Sequence, residues 1–366
     1  MINGHLHRPV GAALAAAALS LAPLSTAHAQ STPQVIASGL DNPRGLAFGP
    51  NGFLFVAEAG RGGTSTLCLP EPESEGERCY GATGSITQIS GIGVQQRVLT
   101  GLPSLAGPTG AGATGPHDIE FAFGSAWVTV GFGGDPATRA PFEQAGIKLD
   151  HLYNITYTGQ VTPIVDIGAY ESANNPDGGL IDSNAYGFKI LSDRGVVADA
   201  GANALLQIDL SGAISTLATF PARTVTGPGG DVEMQSVPTS VTEGPDGSLY
   251  VGELTGFPFP AGGARVYRVP AAGGEPEMVA DGFTNIIDIA IGADGAAYVL
   301  EHDLNGLLAE GMTGRLTKIG LFGSRTEIAA GQLEDPGALA IGPDNAIYVT
   351  THSTSAGGGQ VVRIVQ

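Results

Sequence analysis

Four stretches of sixteen residues align without a gap and constrain the fold of this chain: Pro43 to Glu58, Pro238 to Glu253, Ile286 to Glu301 and Pro336 to Thr351. Each runs from alternating apolar residues into a turn such as Gly49-Pro50-Asn51-Gly52 or Gly244-Pro245-Asp246-Gly247. A second run follows, for example Leu249-Tyr250-Val251-Gly252-Glu253. Period-two alternation around a turn that tolerates positive φ predicts a β-hairpin. The turn glycines Gly244, Gly292 and Gly342 lie 48 and 50 residues apart. That is the period of a four-stranded propeller blade, so each unit needs a second strand pair. Candidate pairs are Gly84 to Leu102, Leu152 to Ile167, Ala204 to Phe220, Ala264 to Gly282 and Gly314 to Leu333. Weaker leading hairpins at His117 to Val130, turning at Gly124-Ser125, and at Ala185 to Asp199 bring the count to six.

The chain ends supply the closure. The last unit has a third strand, Gly359 to Val365, and then the chain stops. Gln34 to Leu40 resembles the fourth strands Glu277 to Gly282 and Glu327 to Gly331. The expected fold is therefore all-β: a six-bladed β-propeller in which an N-terminal strand completes the C-terminal blade and removes the exposed edges. Fifty-seven glycines and 24 prolines fit short strands and many turns. Helix is expected only as short turns, with Ala140 to Ala145 the candidate.

Residues 1–29 place Arg8 ahead of an apolar run from Val10 to Leu24 and then Ala27-His28-Ala29. This pattern predicts a cleaved secretory leader, too short to span a bilayer, with residues 30–366 as one propeller. A retained anchor is the alternative. The expected location is periplasmic or secreted, with no transmembrane segment after cleavage and a monomeric state. The net charge of −19 disfavours nucleic acid as a partner. Cys68 and Cys79 share one acidic insertion, and in an exported chain the favoured reading is a local disulfide.

The long insertions, Gly60 to Gly84, Ser104 to Pro116, Gly131 to Asp150 and Tyr170 to Ser183, all join second to third strands or fourth strands to the next blade. Both connections open on one face of a propeller, so function is expected at that mouth. Reading the hairpins as columns, Glu58, Asp199, Glu253 and Glu301 end second strands, with Thr351 in the last blade and Gly131 or a neighbour in the second as the exceptions. These four are the candidate metal ligands, for calcium or another divalent cation. A carboxylate at such a position can equally cap backbone N–H groups or pair with an arginine. His117, His302 and His352 reach the same face as candidate general bases. Arg44, Asp118, Asn184 and Asp288, at or just ahead of first strands, complete the candidate mouth. No phosphate-binding loop follows the glycine-rich turns, so neither nucleotide nor flavin is expected.

The figure Pro-x-Gly-Leu-Ala-x-Gly-Pro-Asn/Asp-Gly-x-Leu-Tyr/Phe-Val-Ala-Glu, seen at Pro43 to Glu58 and more loosely at Pro238 to Glu253 and Pro336 to Thr351, resembles NHL and gluconolactonase-like six-bladed propellers. Val35 to Gly52, with Gly81 to Ile86, is similar to the ScyD/ScyE family, and the likeness runs through the whole mature chain. That resemblance implies an exported propeller. The wider superfamily includes metal-dependent lactonases, lyases and strictosidine-synthase-like enzymes, whose metal ligands find no residue-by-residue match here. Two functions follow as expectations. One is binding of a small molecule, glycan or protein partner at the acidic mouth, with a calcium ion. The other is a metal-dependent hydrolase or lyase at that mouth, with one of the three histidines as base.

Overall fold

The computed structural model describes residues 1, 32–70, 76–91, 93–227 and 229–366. The leader expected over residues 1–29 falls, except for Met1, outside the described residues. Six antiparallel sheets follow one another around a ring. Blade 1 uses Pro43–Phe48, Leu54–Glu58, Glu77–Ile89 and Gln95–Ala106, with Cys68–Pro70 added beside Glu77–Ile89. Blade 2 uses Pro116–Ala122, Ser125–Val130, His151–Thr156 and Val161–Asp166. Blade 3 uses Ala185–Ile190, Arg194–Asp199, Ala204–Asp209 and Ile214–Thr219. Blade 4 uses Pro238–Glu243, Leu249–Glu253, Ala264–Val269 and Glu277–Phe283. Blade 5 uses Ile286–Ile291, Ala297–Glu301, Thr313–Ile319 and Arg325–Glu334. The first strand of each blade contacts the first strand of the next, and the sixth returns to the first.

Blade 6 closes the ring as expected. Ala338–Ile341, Ile347–Thr351 and Ala356–Ile364 receive Gln34–Asp41 as their fourth strand, with Val35 opposite Val362 and Ala37 opposite Val361. Leu40 is fully buried in that seam, which adds about 2 kcal/mol of apolar burial to the ladder.

Between blades the core is apolar and aromatic. Phe48 meets Tyr348 edge-on at 5.0 Å, and Phe55 meets Phe121 at 4.7 Å. These contacts put aromatic side chains of first and second strands in the blade seams.

Three features differ from expectation. The hairpin of blade 2 turns at Phe123-Gly124, one residue earlier than expected, because both positions take positive φ, 52° and 74°. A separate two-stranded hairpin, Arg223–Gly227 with Gly230–Met234, stands between blades 3 and 4. The insertion after blade 2 contains an eight-residue helix, Ile167–Asn174, while the expected short helix, Ala140–Gln144, lies between the second and third strands of blade 2. The Asp166 side chain caps the longer helix by accepting from Ala169 N–H, Asn175 ends it at φ 39°, and Pro176 cannot continue it.

Candidate functional site

Glu58, Asp199, Glu253 and Glu301 all sit at the loop-bearing end of their second strands, and all four are fully buried. Three are gripped by an arginine in a two-pronged ion pair. Arg97 donates to both oxygens of Glu58 at 3.1 and 2.7 Å, Arg223 to both of Glu253 at 2.6 and 2.8 Å, and Arg315 to both of Glu301 at 2.6 and 2.7 Å. Paired, charge-assisted bonds of this kind hold a carboxylate firmly and occupy its lone pairs. The remaining capacity goes to the segment leading into the same blade. Glu58 accepts from Asp41 N–H, Glu301 from Thr284 N–H, and Glu253 from the Ser236 hydroxyl.

Asp199 has no arginine in this role. It accepts instead from Asn184 N–H at 2.7 Å, the Ser183 hydroxyl at 2.7 Å, and Gly201 and Ala202 N–H. Each member of the column therefore clasps the loops of its own blade. The structure does not bring the four together as a metal centre. Among the described residues, only Cys68, Glu77 and Cys79 place three donors of the carboxylate, imidazole or thiol type within 4.8 Å of one another. Both of those sulfurs are committed to the expected Cys68–Cys79 disulfide.

Of the four mouth candidates, Asp118 and Asp288 come together. On blades 2 and 5, they line a cavity of only about 10 Å³ with Gly45, His117, Tyr186 and Thr239, residues of the first strands of blades 1 to 4. That is room for roughly one water. Each aspartate staples its blade to the next: Asp118 accepts from Phe188 N–H and Asp288 from Leu339 N–H, both at 2.8 Å. Burial raises both acids, Asp288 to about 7 and Asp118 well above its usual range, the latter helped by the charge of Asp288. Arg44 donates to Ala113 C=O, and Asn184 accepts from Phe132 N–H.

The three histidines have separate surroundings. His117 packs on Tyr186 at 4.5 Å, and its Nδ1 bonds Ala185 C=O. Burial and the Arg44 charge lower its pKa to about 3. His302 bonds Pro336 C=O through Nδ1 and faces Asp335 through Nε2 at 3.4 Å. His352, at φ 49°, lies 3.7 Å from Glu334.

The arginine partners were the missing signal. Glu301 and Arg315 are direct cross-strand neighbours in register, so that pair is legible once the strands are aligned. Arg223 comes from the unexpected hairpin and had no such signal.

A wider cavity lies elsewhere. A cleft of about 570 Å³ opens between blades 1 and 2, near the hairpin turns and away from the loop-bearing face. Phe55, Leu99, Ile119, Phe121, Ala126 and Tyr157 are among its walls, and no lining residue carries a charge.

No family model and no curated protein matches the chain. Solved structures do. A streptogramin B lyase is 13% identical with a TM-score of 0.50, covering 92% of this chain and 97% of that one. The calcium-binding protein regucalcin from Agrobacterium tumefaciens is 13% identical with a TM-score of 0.52, covering 91% and 93%. A PQQ-bound aldose sugar dehydrogenase from Streptomyces coelicolor is 14% identical with a TM-score of 0.51, covering 92% and 98%. The likeness is one of fold, and with the closed ring of six sheets it makes this chain a six-bladed β-propeller. The Cys68–Cys79 disulfide is formed, and among the described residues no helix is long and apolar enough to cross a membrane.

Proposed function

We propose that this is an exported propeller of the ScyD/ScyE type whose role is binding, with the loop-bearing face presented to a small molecule, glycan or protein partner. The observation that carries this reading is the use of Glu58, Asp199, Glu253 and Glu301 as loop clasps. Carboxylates fixed in this way hold the mouth loops in one arrangement, which lowers the ordering cost of binding. The same bonds argue against the hydrolase or lyase alternative, in which these residues would hold a Lewis-acidic ion. His117, lowered to about 3, is a poor proton acceptor at neutral pH. His302 is tied between Pro336 and Asp335. The test is an assay of metal-stripped and metal-loaded protein against ester and lactone panels. We expect neither preparation to turn over, and metal-dependent turnover lost in E301Q would overturn the binding reading.

The cleft between blades 1 and 2 supports a second reading, in which the ligand is a small uncharged apolar molecule. Its volume of about 570 Å³ matches a small-molecule site. Binding of a neutral naphthalene-type fluorophore, weakened at least about tenfold when A126F fills the cleft, would support it. Equal binding by both proteins would exclude it.

A further inference from the structure

The segment between the fourth strand of blade 2 and the first strand of blade 3 holds an unusual set of buried oxygens. Glu171 Oε1 and Oε2, Asn175 Oδ1 and Asp182 Oδ1 are all buried and make no well-formed hydrogen bond, although Asp182 N–H approaches Glu171, and Gly134 and Ser183 N–H approach Asp182, closely enough to lower their pKa values in part. Glu171 itself has no exposed surface. It stands on the Ile167–Asn174 helix facing other acids: burial first, then the charges of Asp199, Asp177 and Asp182, raise its pKa to about 7. Asp182 Oδ1 lies against the backbone at Gly201, where an added Cβ would come within 2.8 Å.

A buried carboxylate so poorly supplied with donors destabilises the fold. A proton on Glu171 removes the charge yet still leaves acceptor oxygens unfilled. Among the described residues no arginine bonds Glu171, and the charge of Arg78 acts on Asp182 and lowers its pKa without filling Oδ1. Arg139 bonds Asp166 and Leu149 C=O, and Arg78 bonds Phe132 C=O and Gly133 C=O. What the segment offers is oxygen alone: two carboxylates, a side-chain amide and main-chain carbonyls. That is the donor set of a hard cation taking six to eight oxygens at about 2.3 to 2.6 Å, and it lacks the nitrogen and sulfur that zinc favours.

We propose that the segment from Glu171 to Asp182 is a calcium site, with the carboxylates of Glu171 and Asp182 and the amide oxygen of Asn175 among its ligands. No three acidic side chains here come within 4.8 Å of one another, so carbonyl oxygens and water complete the shell. The ion lies off the propeller axis, on the approach to blade 3, and fixes the helix against the Asp199 clasp. It does not depend on the binding role of the mouth.

The experiment is calcium titration of chelator-treated protein by calorimetry, with thermal melts alongside. We expect one ion per chain and a melting temperature raised by several degrees in millimolar calcium, as binding to the folded state alone requires. E171Q should abolish both signals while melting, without calcium, no lower than the parent. D182N should weaken binding about tenfold or more. E301Q, which breaks an unrelated clasp, should keep its calcium response. No heat and no shift in the parent protein, or a response unchanged in both E171Q and D182N, would overturn the proposal.

Discussion

The insertions of blades 1 and 3 do the same job by different chemistry. Between the second and third strands of blade 1, the chain is held by the Cys68–Cys79 disulfide, by Arg61 on Asp41 at 2.6 Å, and by Arg97 bridging Asp41 and Glu58. Approaching blade 3, the buried Glu171 and the half-buried Asp182 have oxygens left without a well-formed hydrogen bond. The first arrangement is complete within the protein. The second is complete only if something positive joins it. The difference teaches that an acidic column says little about metal until its counter-charges are counted. The four residues in the most regular positions are satisfied, and the group that stands open lies in an irregular loop.

Four outcomes break or sharpen this contrast. The largest is expected at a clasp: R223A leaves Glu253 buried without its counter-charge and should lose about 3 to 5 kcal/mol by chemical denaturation. A loss below about 1 kcal/mol would mean that the clasps are not the anchors described. Removing the disulfide with C68S/C79S releases a crosslink of eleven residues' separation and should cost about 3 kcal/mol or less. In calcium-free buffer E171Q should be neutral or slightly stabilising, because it removes a charge that nothing offsets. A loss like that of R223A would place Glu171 with the clasps.

The last outcome is a pH slope from the axial pair, an intermediate case that has backbone donors and no paired arginine. Asp288 stands at about 7 when folded and near 3.9 when unfolded. The folded state therefore holds the extra proton between those values. Stability falls as pH rises from about 4 to about 7 and then levels. Melting temperature should be higher at pH 5 than at pH 8, and D288N should flatten the slope. A slope of opposite sign would contradict the assignment.

Much of the fold was legible because it rests on short-range rules. Gly-Pro-Asp-Gly turns, period-two strands and the unmatched strand at Val35 to Leu40 pointed to six blades and their closure. The face bearing Glu58 and Glu301 followed from strand direction alone. The meaning of those carboxylates did not. Arg97 and Arg315 arrive from outer or third strands, and Arg223 from a hairpin that breaks the repeat. The helix carrying Glu171 hid among Gly168, Asn174, Asn175 and Pro176, a composition that reads as loop, because its stability comes from the Asp166 cap and burial against blade 2.

The most direct test of the account is anomalous diffraction from crystals of the full chain soaked with a lanthanide in place of calcium. The account predicts a single strong peak within about 2.5 Å of a Glu171 carboxylate oxygen and none beside Glu58, Glu253 or Glu301. A peak at those clasps or between Asp118 and Asp288, or a clean map around Glu171, would contradict it.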